Sequence, residues 1–531
     1  MISYLVPPSR VRRLQRDPAG RARASSSWTG PALGARVRLA DLLRVDEMLA
    51  VRGSLARPVS GLAIDSRRVT PGDVFFALPG RRADGADFVD EAVARGAVAV
   101  VSARLPKAMP SRVTALQVAD PRELLARVAQ RFYGFPDRAL GVIGVTGSRG
   151  KTSVAHLLRH FLGQPGGQRV GLISSIHYDL GARTVPAYLT TPEALDTFGL
   201  LAQMRDSGCR EAVVEVSAQG IDQQRVLGVR FGAVVFTHLA EEAAECRRDL
   251  ASCFDLKSRL FTGEMGVQPG VAVVNLDDLQ GTTLMERIPA GVRVVTFGES
   301  PAAEVRAEAV ECDASGARFC LVWPSGRAWV SSPLIGRPNV SNLLAAVATL
   351  WALGRDPAAA VAAIPGLTAV PGRMEPVQAG QRFHVVVDAA NAAGPLAAAL
   401  ATVRAGTSGR VIVVVGAAGD RERSGRAALL AAAQRGADFV IATADNPRTE
   451  GVGRVFADLE RGVTEPARVA WIEDRRRAIA LALDMAGPAD AVLIAGRGHD
   501  GYQEMADTIV PFDDRRVART LLAMRGTRVG G

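Results

Sequence analysis

Only three of the 64 basic residues in this chain are lysines, Lys107, Lys151 and Lys257. A chain that uses arginine almost wherever it needs a cation keeps lysine where a primary amine is required, because a guanidinium stays protonated throughout the usual pH range. Lys151 lies in the string G-V-T-G-S-R-G-K-T at 144–152. An apolar run precedes that string and a helical pattern over 153–162 follows it, so it reads as a phosphate loop. Gly147 and Gly150 let backbone N–H groups face phosphate oxygens, and the helix start at Thr152 and Ser153 adds its dipole. Lys151 would reach the terminal phosphates of a nucleotide and the Thr152 hydroxyl a Mg²⁺ ion. Glu215, at the end of another apolar run, offers the hard oxygen that Mg²⁺ prefers.

These residues need a scaffold to bring them together. A chain of 531 residues is too long for one hydrophobic core and implies about three domains. The pattern predicts α/β architecture in three parts. A small N-terminal α/β unit covers 37–137, with a helix over 88–95 and a buried strand over 97–101. A central unit over 138–364 has strands at 139–145, 211–216, 232–237 and 271–275, which gives a P-loop NTPase-like, mostly parallel sheet. A C-terminal unit over 365–531 has strands at 383–387, 410–415, 439–443 and 491–495, each followed by a helical segment, which reads as a Rossmann-like sheet.

Composition limits the function classes. The net charge of +10 is concentrated in residues 1–36, which hold seven arginines and one acid. The remainder carries an excess ordinary for an enzyme that handles phosphorylated substrates. No basic cluster with interleaved aromatics follows, so nucleic-acid binding is not expected. The Arg- and Ser-rich tail resembles a transit peptide in composition, and the reading favoured is a disordered basic extension. No apolar run is long enough to span a membrane, and the five cysteines have neither an even count nor metal-ligand spacing, as for reduced thiols in a cytoplasmic protein.

Further strings occur in one order along the chain: T-T-P-E-A-L-D at 190–196, E-V-S-A-Q-G-I-D-Q-Q-R at 215–225, F-D-L-K-S-R-L-F at 254–261, G-R-P-N-V-S-N at 336–342, P-G-R-M-E at 371–375, G-D-R-E-R at 419–423, D-N-P-R at 445–448 and G-R-G-H-D-G-Y-Q at 496–503. Together they resemble the Mur ligase family over about 57–520. Within the family the pattern is similar to members that attach diaminopimelate to UDP-N-acetylmuramoyl-dipeptide in peptidoglycan precursor synthesis. That resemblance implies an ATP- and Mg²⁺-dependent ligase that activates a carboxylate as an acyl phosphate for attack by an amine. It implies further that Lys151, Glu215 and Lys257 are catalytic, that Thr152, Glu215 and Lys257 serve the metals, and that Lys257 is carbamylated by CO₂ and so becomes an anionic ligand. Asn342, Arg373 and Asp388 match ATP contacts. Ser66, Thr190, Thr191, Ser217 and Arg225 match positions that hold the UDP-muramoyl-peptide, and Arg421, Asp445, Asn446, Arg448, Gly496 and Asp500 match positions that read the incoming amino acid. An arginine is the expected clamp for its distal carboxylate. The small-molecule substrates are the partners implied, without nucleic acid or membrane; the oligomeric state stays open, with a monomer favoured.

The chain departs from the family pattern in places. His238 stands where Asn is usual, Glu242-Ala243 where Asp-His is usual, Asp388-Ala389-Ala390-Asn391 where an aromatic and a His are usual, and Gln219, Arg149, Gly425 and Asp500 replace His, Asn, Lys and Glu. Three readings follow: a diverged diaminopimelate ligase in which Glu241, Glu242 or His238 takes over part of the metal shell, a Mur-type ligase for another substrate, or a nucleotide-binding paralogue acting as scaffold or regulator.

Overall fold

Runs in which every residue is apolar, such as V-I-V-V-V at 411–415, bury both faces of a strand, the pattern of a parallel sheet covered on both sides by helices. The computed structural model describes residues 37–80, 83–106, 108–163, 167–239, 249–421, 423–506 and 508–529, and it builds three such sheets. The N-terminal tail, Lys107, the expected metal-shell residues Glu241 and Glu242, and Ala243 lie outside the described residues.

The first sheet has the order Ala50–Arg52, Thr114–Gln117, Ala99–Ser102, Asp73–Phe76, Gly61–Ala63, with only the first strand antiparallel. The second has eleven strands. Its middle runs Val170–Ile173, Glu211–Glu215, Gly141–Thr146, Phe231–Phe236, Val271–Asn275, Arg293–Gly298 and Val305–Asp313, parallel throughout. Alternation along Gly141–Thr146 sends Val142 into one core layer and Ile143 and Val145 into the other, as the two-residue period of a strand requires. The phosphate-loop helix Lys151–Gly163 and the helix Arg337–Ala352 cover the second layer, and Ala194–Asp206 and Leu250–Thr262 cover the first. The third sheet has six strands in the order Glu375–Pro376, His384–Asp388, Ala491–Ala495, Val411–Val415, Phe439–Thr443, Val469–Ile472, parallel except at the first pair.

The predicted strands appear within two residues of their expected bounds. Not expected from the sequence were the parallel strands Val170–Ile173, Arg293–Gly298 and Val305–Asp313 and the antiparallel edges of the central sheet. His177–Asp179 and Thr184–Pro186 add antiparallel strands on one side, and Gly316–Trp323 and Gly326–Ser332 extend it on the other. Of the latter pair, Gly326–Ser332 carries alternating burial and lacks the continuous apolar run that betrays a parallel strand, whereas Gly316–Trp323 does carry one, F-C-L-V-W at 319–323. Among the described cysteines, Cys209, Cys312 and Cys320 are free, whereas Cys253 is disulfide-bonded, which departs from the expectation of reduced thiols. Among the described residues no helix is long and apolar enough to cross a membrane.

The last helix, Asp514–Val529, is tied to the third sheet by a fully buried ion pair. Arg475 donates from Nε and Nη2 to the two oxygens of Asp514 at 2.8 and 2.7 Å, and from Nη2 to the Ala495 carbonyl at 2.9 Å. Removing one partner strands the other charge in a dry site. Asp514→Ala should therefore cost roughly 3–5 kcal/mol of stability in chemical denaturation, and a loss below about 1 kcal/mol would mean the pair is solvated in solution.

Candidate functional site

The phosphate loop leaves the C-terminal end of the strand Gly141–Thr146 and enters its helix at Lys151. Gly147 has φ 141° and Gly150 φ 84°, conformations that favour glycine. A Cβ on Gly147 would collide with Thr237 Oγ1, and one on Gly150 would come to 2.6 Å from Asn342 Oδ1. Thr237 Oγ1 braces the loop by donating to the carbonyl of Thr146 at 3.0 Å or of Arg149 at 2.6 Å, and Ser148 N–H donates to the His238 carbonyl at 2.5 Å.

Two amines converge on this loop. Lys151 Nζ donates to the Gly147 and Ser148 carbonyls at 2.9 and 3.2 Å, and Lys257 Nζ donates to the same Gly147 carbonyl at 2.8 Å. Lys257 is fully buried. It rides on the helix Leu250–Thr262, whose start is capped by the Asp249 carboxylate accepting from Ser252 N–H and whose end is closed by left-handed Gly263, the usual terminal devices.

Beside the amines lies an acid. Glu215 is 1% exposed; its Oε2 accepts from Thr152 Oγ1 at 3.1 Å and its Oε1 from Ser175 N–H at 3.0 Å. Burial pushes its carboxyl above the ordinary range, while the Ser175 amide, Lys151, Arg373 and Thr152 pull the other way. Among the described residues no group of three His, Cys, Asp or Glu side chains could hold a metal alone. The donor set at Thr152 and Glu215, a hydroxyl and a carboxylate, suits Mg²⁺, which is bound through one or two carboxylates together with phosphate oxygens and water. Among the described residues the buried Ser148 hydroxyl has no hydrogen-bond partner.

The expected acceptor-substrate residues join the same network. Thr191 Oγ1 lies 2.8 Å from the Glu215 carbonyl and 3.1 Å from Ser217 Oγ, and accepts from Ser217 N–H at 2.9 Å. Arg225 donates to the Thr191 carbonyl at 2.7 Å and pairs with Glu193 at 2.8 Å. Thr190 is half-buried next to them. Ser66 stands apart on the first sheet, buried, its hydroxyl donating to Glu91 at 2.6 Å.

The third sheet supplies the facing wall. Arg373 Nη2 reaches Thr152 Oγ1 at 3.4 Å, so the nucleotide loop is contacted from both sides. Asp388 accepts from the main-chain N–H of Met374 and Ala390 at 2.7 and 2.9 Å, and its own carbonyl accepts from Gly496 N–H at 3.0 Å. Asn342 donates to Asn339 at 3.1 Å. Of the expected amino-acid residues, Asn446 Oδ1 accepts from Glu504 N–H at 2.8 Å, and Arg448, at φ 55°, donates to Glu504 at 2.7 Å and to the Gly419 carbonyl at 3.2 Å. Neither Arg448 contact uses Nη2. Asp445 is buried 3.6 Å from Arg497, and burial pushes both Asp445 and Asp500 upward, with Arg475 and Arg497 opposing it at Asp445 and Arg497 at Asp500. Arg421 is exposed in the neighbouring turn.

Sequence reasoning missed several members of this wall. Arg497 is buried with Nε and Nη1 unpartnered, although it sits inside a string already singled out. Ser175 follows the strand Val170–Ile173 with no motif of its own. His156 and His177 stack edge to face at 5.2 Å, and the buried His499 Nδ1 has no partner.

With this geometry in hand, comparison with known proteins is direct. Models of the Mur ligase family match in order: the catalytic domain over 58–133, the middle domain over 145–350 and the glutamate ligase domain over 372–498. The chain belongs to the Mur ligase family and is an ATP-dependent amide ligase. It is 40% identical over 466 residues, 87% of this chain and 93% of the relative, to the UDP-N-acetylmuramoyl-L-alanyl-D-glutamate–2,6-diaminopimelate ligase of Solibacter usitatus. It is 39% identical to the ligase of the same name from Gloeobacter violaceus, over 92% of this chain and 99% of that one. A solved structure bearing that ligase's name superposes with TM-score 0.65 at 29% identity, covering 93% of this chain and all of its own. The MurF ligase of Thermotoga maritima in complex with ADP, 19% identical with TM-score 0.59 over 89% of this chain and 99% of its own, shares the fold.

Burial, then the neighbouring His177 and Arg159, lowers His156 from 6.5 to about 3; burial and Arg373 lower His499 from 6.5 to about 4. A histidine held neutral in the fold binds protons in the unfolded chain first, so stability falls as the pH drops below 6.5 and levels off only near the folded value. His156→Gln should flatten the decline in melting temperature between pH 6.5 and about 3. An unchanged curve would show that His156 titrates normally in the fold.

Proposed function

We propose that this chain adds diaminopimelate to UDP-N-acetylmuramoyl-dipeptide at the expense of ATP, as the names of its relatives describe for them, and that residues 37–137, 138–364 and 365–531 form domains for the uridine substrate, the nucleotide and the amino acid. The observation that carries the reading is the convergence of Lys151 and Lys257 on one loop carbonyl beside the Thr152–Glu215 pair. Cations and acid ligands crowded on one loop are what phosphoryl transfer to a carboxylate needs, because catalysis there consists mostly of positioning and charge neutralisation.

Mg²⁺, when bound through Thr152 and Glu215, neutralises charge on the transferring phosphoryl group. Lys151 and the N–H groups of 147–152 hold the terminal phosphates, while Asn342, Arg373 and Asp388 orient the nucleotide from the opposite wall. Arg225 and the Thr191–Ser217 pair present the acceptor carboxylate. Lys257, a buried amine with a neutral carbonyl as partner, is the residue to be carbamylated, a reaction an arginine could not replace. His238 offers a further ligand: its Nδ1 lies 2.5 Å from Asp278, which fixes the ring and frees Nε2, the arrangement of a carboxylate-oriented metal ligand.

Three outcomes test this reading. Lys257→Ala should abolish ligation while leaving ATP affinity within about threefold, and a small added carboxylic acid should restore part of the turnover; wild-type protein without amino-acid-dependent ADP release, combined with a silent Lys257→Ala, would favour a nucleotide-binding scaffold. Diaminopimelate should be preferred to lysine, and Arg448→Ala should lower kcat/KM for it by about 3 kcal/mol; equal use of lysine would refute the substrate. His238→Ala should weaken Mn²⁺ binding in the presence of nucleotide, read by electron paramagnetic resonance, by about tenfold, and equal affinity would remove His238 from the metal shell.

A further inference from the structure

At the opposite end of the central sheet from the phosphate loop, where the strands Gly141–Thr146 and Phe231–Phe236 begin, lies a cavity of about 400 Å³. Arginines dominate its wall. Arg127 and Arg131 are neutralised there, the first by Glu123 at 2.7 Å and the second by a two-pronged contact with Glu47. Arg44, Arg138 and Arg230 line the same cavity, and among the described residues their guanidinium groups have no carboxylate partner, although the main-chain N–H groups of Arg44 and Arg230 donate to Glu47 and Asp137. The one acid in the wall, Asp137, is 2% exposed and accepts from the Gln130 amide at 3.1 Å and from Arg230 N–H at 3.1 Å. All three are exposed, so solvent screens their mutual repulsion, and an anion seated between them would gain from all three.

The backbone keeps the hollow open. Gly228 and Gly266 are both left-handed, at φ 80° and 91°, and a Cβ on Gly266 would meet Gly228 Cα at 3.6 Å, so neither position carries a side chain into the space. Phe135, a bulky residue at φ 53°, occupies a conformation that costs energy and recurs at binding sites. The Arg138 guanidinium stacks on its ring at 4.0 Å, which presents the donor edge of the arginine along the ring face. Leu227 and Val267 add an apolar floor.

We infer that this cavity binds a small phosphorylated ligand of about mononucleotide size or below, its phosphate held by Arg44, Arg138 and Arg230 and its organic body laid against Leu227 and Val267. Arginine's planar fork matches phosphate oxygens, and three uncompensated cations facing one acid call for a dianion rather than a monocarboxylate. The site is separate from the acceptor-substrate network. The helix Pro121–Phe132 touches that network at its first turn, through Arg122 to Glu193 at 3.6 Å, and lines the cavity at its last, through Gln130 and Arg131, about 14 Å further along its axis. The inference does not depend on which amino acid the enzyme adds.

Calorimetry on the full chain, with the nucleotide site filled by Mg·ADP, tests it with ribose 5-phosphate and inorganic phosphate as probes. Both should bind. Arg138→Glu/Arg230→Glu, and separately Arg44→Glu on the other wall, should each weaken ribose 5-phosphate by about tenfold or more, with melting temperature and ligase turnover in the absence of probe unchanged. Unaltered affinity in both variants would overturn the site. So would the absence of binding to either probe at about 10 mM, including the case in which wild-type protein instead captures phosphatidylglycerol vesicles and the variants do not, which would make the patch a membrane-facing surface.

Discussion

The Gly147 carbonyl accepts from two lysine side chains at once, and much of the central region is arranged to make that geometry available. The glycine must hold φ 141°, and the packing of Thr237 and His238 against its Cα leaves no room for a side chain. That packing requires the strand Phe231–Phe236 to lie in register beside Gly141–Thr146, with Phe236 opposite Thr146. It also requires the helix Leu250–Thr262 to deliver Lys257 through the apolar layer formed by Phe236, Phe254 and Phe261. Two amines on one acceptor crowd together, and the nearby Glu215 carboxylate, deep in the fold, offsets the charge of Lys151. The proposed carbamate on Lys257 would turn one of the two amines into an anionic group.

The facing wall solves a related electrostatic problem with different residues. Asp388, Asp445 and Asp500 are all pushed upward by burial, and each is held by main-chain donors or by the arginines at 373, 475 and 497. Arg475 grips Asp514 with its Nε and Nη2, and Arg497 donates from Nη2 to the Tyr502 carbonyl; among the described residues Arg475 Nη1 and Arg497 Nε and Nη1 have no hydrogen-bond partner. A buried cation with unfilled donors beside Asp445 is costly in isolation. It is understandable where an anionic group of a substrate completes the shell.

What could be read from the sequence follows from how local each signal is. The phosphate loop, Glu215 and Lys257 were legible because glycine spacing, an apolar strand before the loop and the scarcity of lysine are all properties of short strings. The parallel strands at the centres of the sheets were legible because burial on both faces writes continuous apolar runs, as at 411–415, whereas Val170–Ile173, Arg293–Gly298, Val305–Asp313 and Val469–Ile472, parallel as well, were not placed. The antiparallel edges at 177–186 and 316–332 were not placed either: the strands at 177–179 and 184–186 are three residues each, and that at 326–332 alternates in burial, which leaves a weaker pattern. Ser175, His499 and Arg497 escaped notice for a further reason: each acquires its role only when chain segments far apart in sequence meet, as when Ser175 N–H bonds Glu215 across 40 residues.

The scarcity of lysine also determines how this protein meets electrophiles. Lys151 is 6% exposed and Lys257 fully buried, so Lys107 is the single lysine outside this pair. Guanidinium groups, which replace lysine as the cation nearly everywhere else in the chain, do not react with acylating reagents or with dissolved CO₂ near neutral pH. Random surface carbamylation of side chains, a background in lysine-rich proteins, is thus nearly absent here, and isotopic carbon dioxide taken up by the side chains would report on three amines, two of them in the nucleotide site.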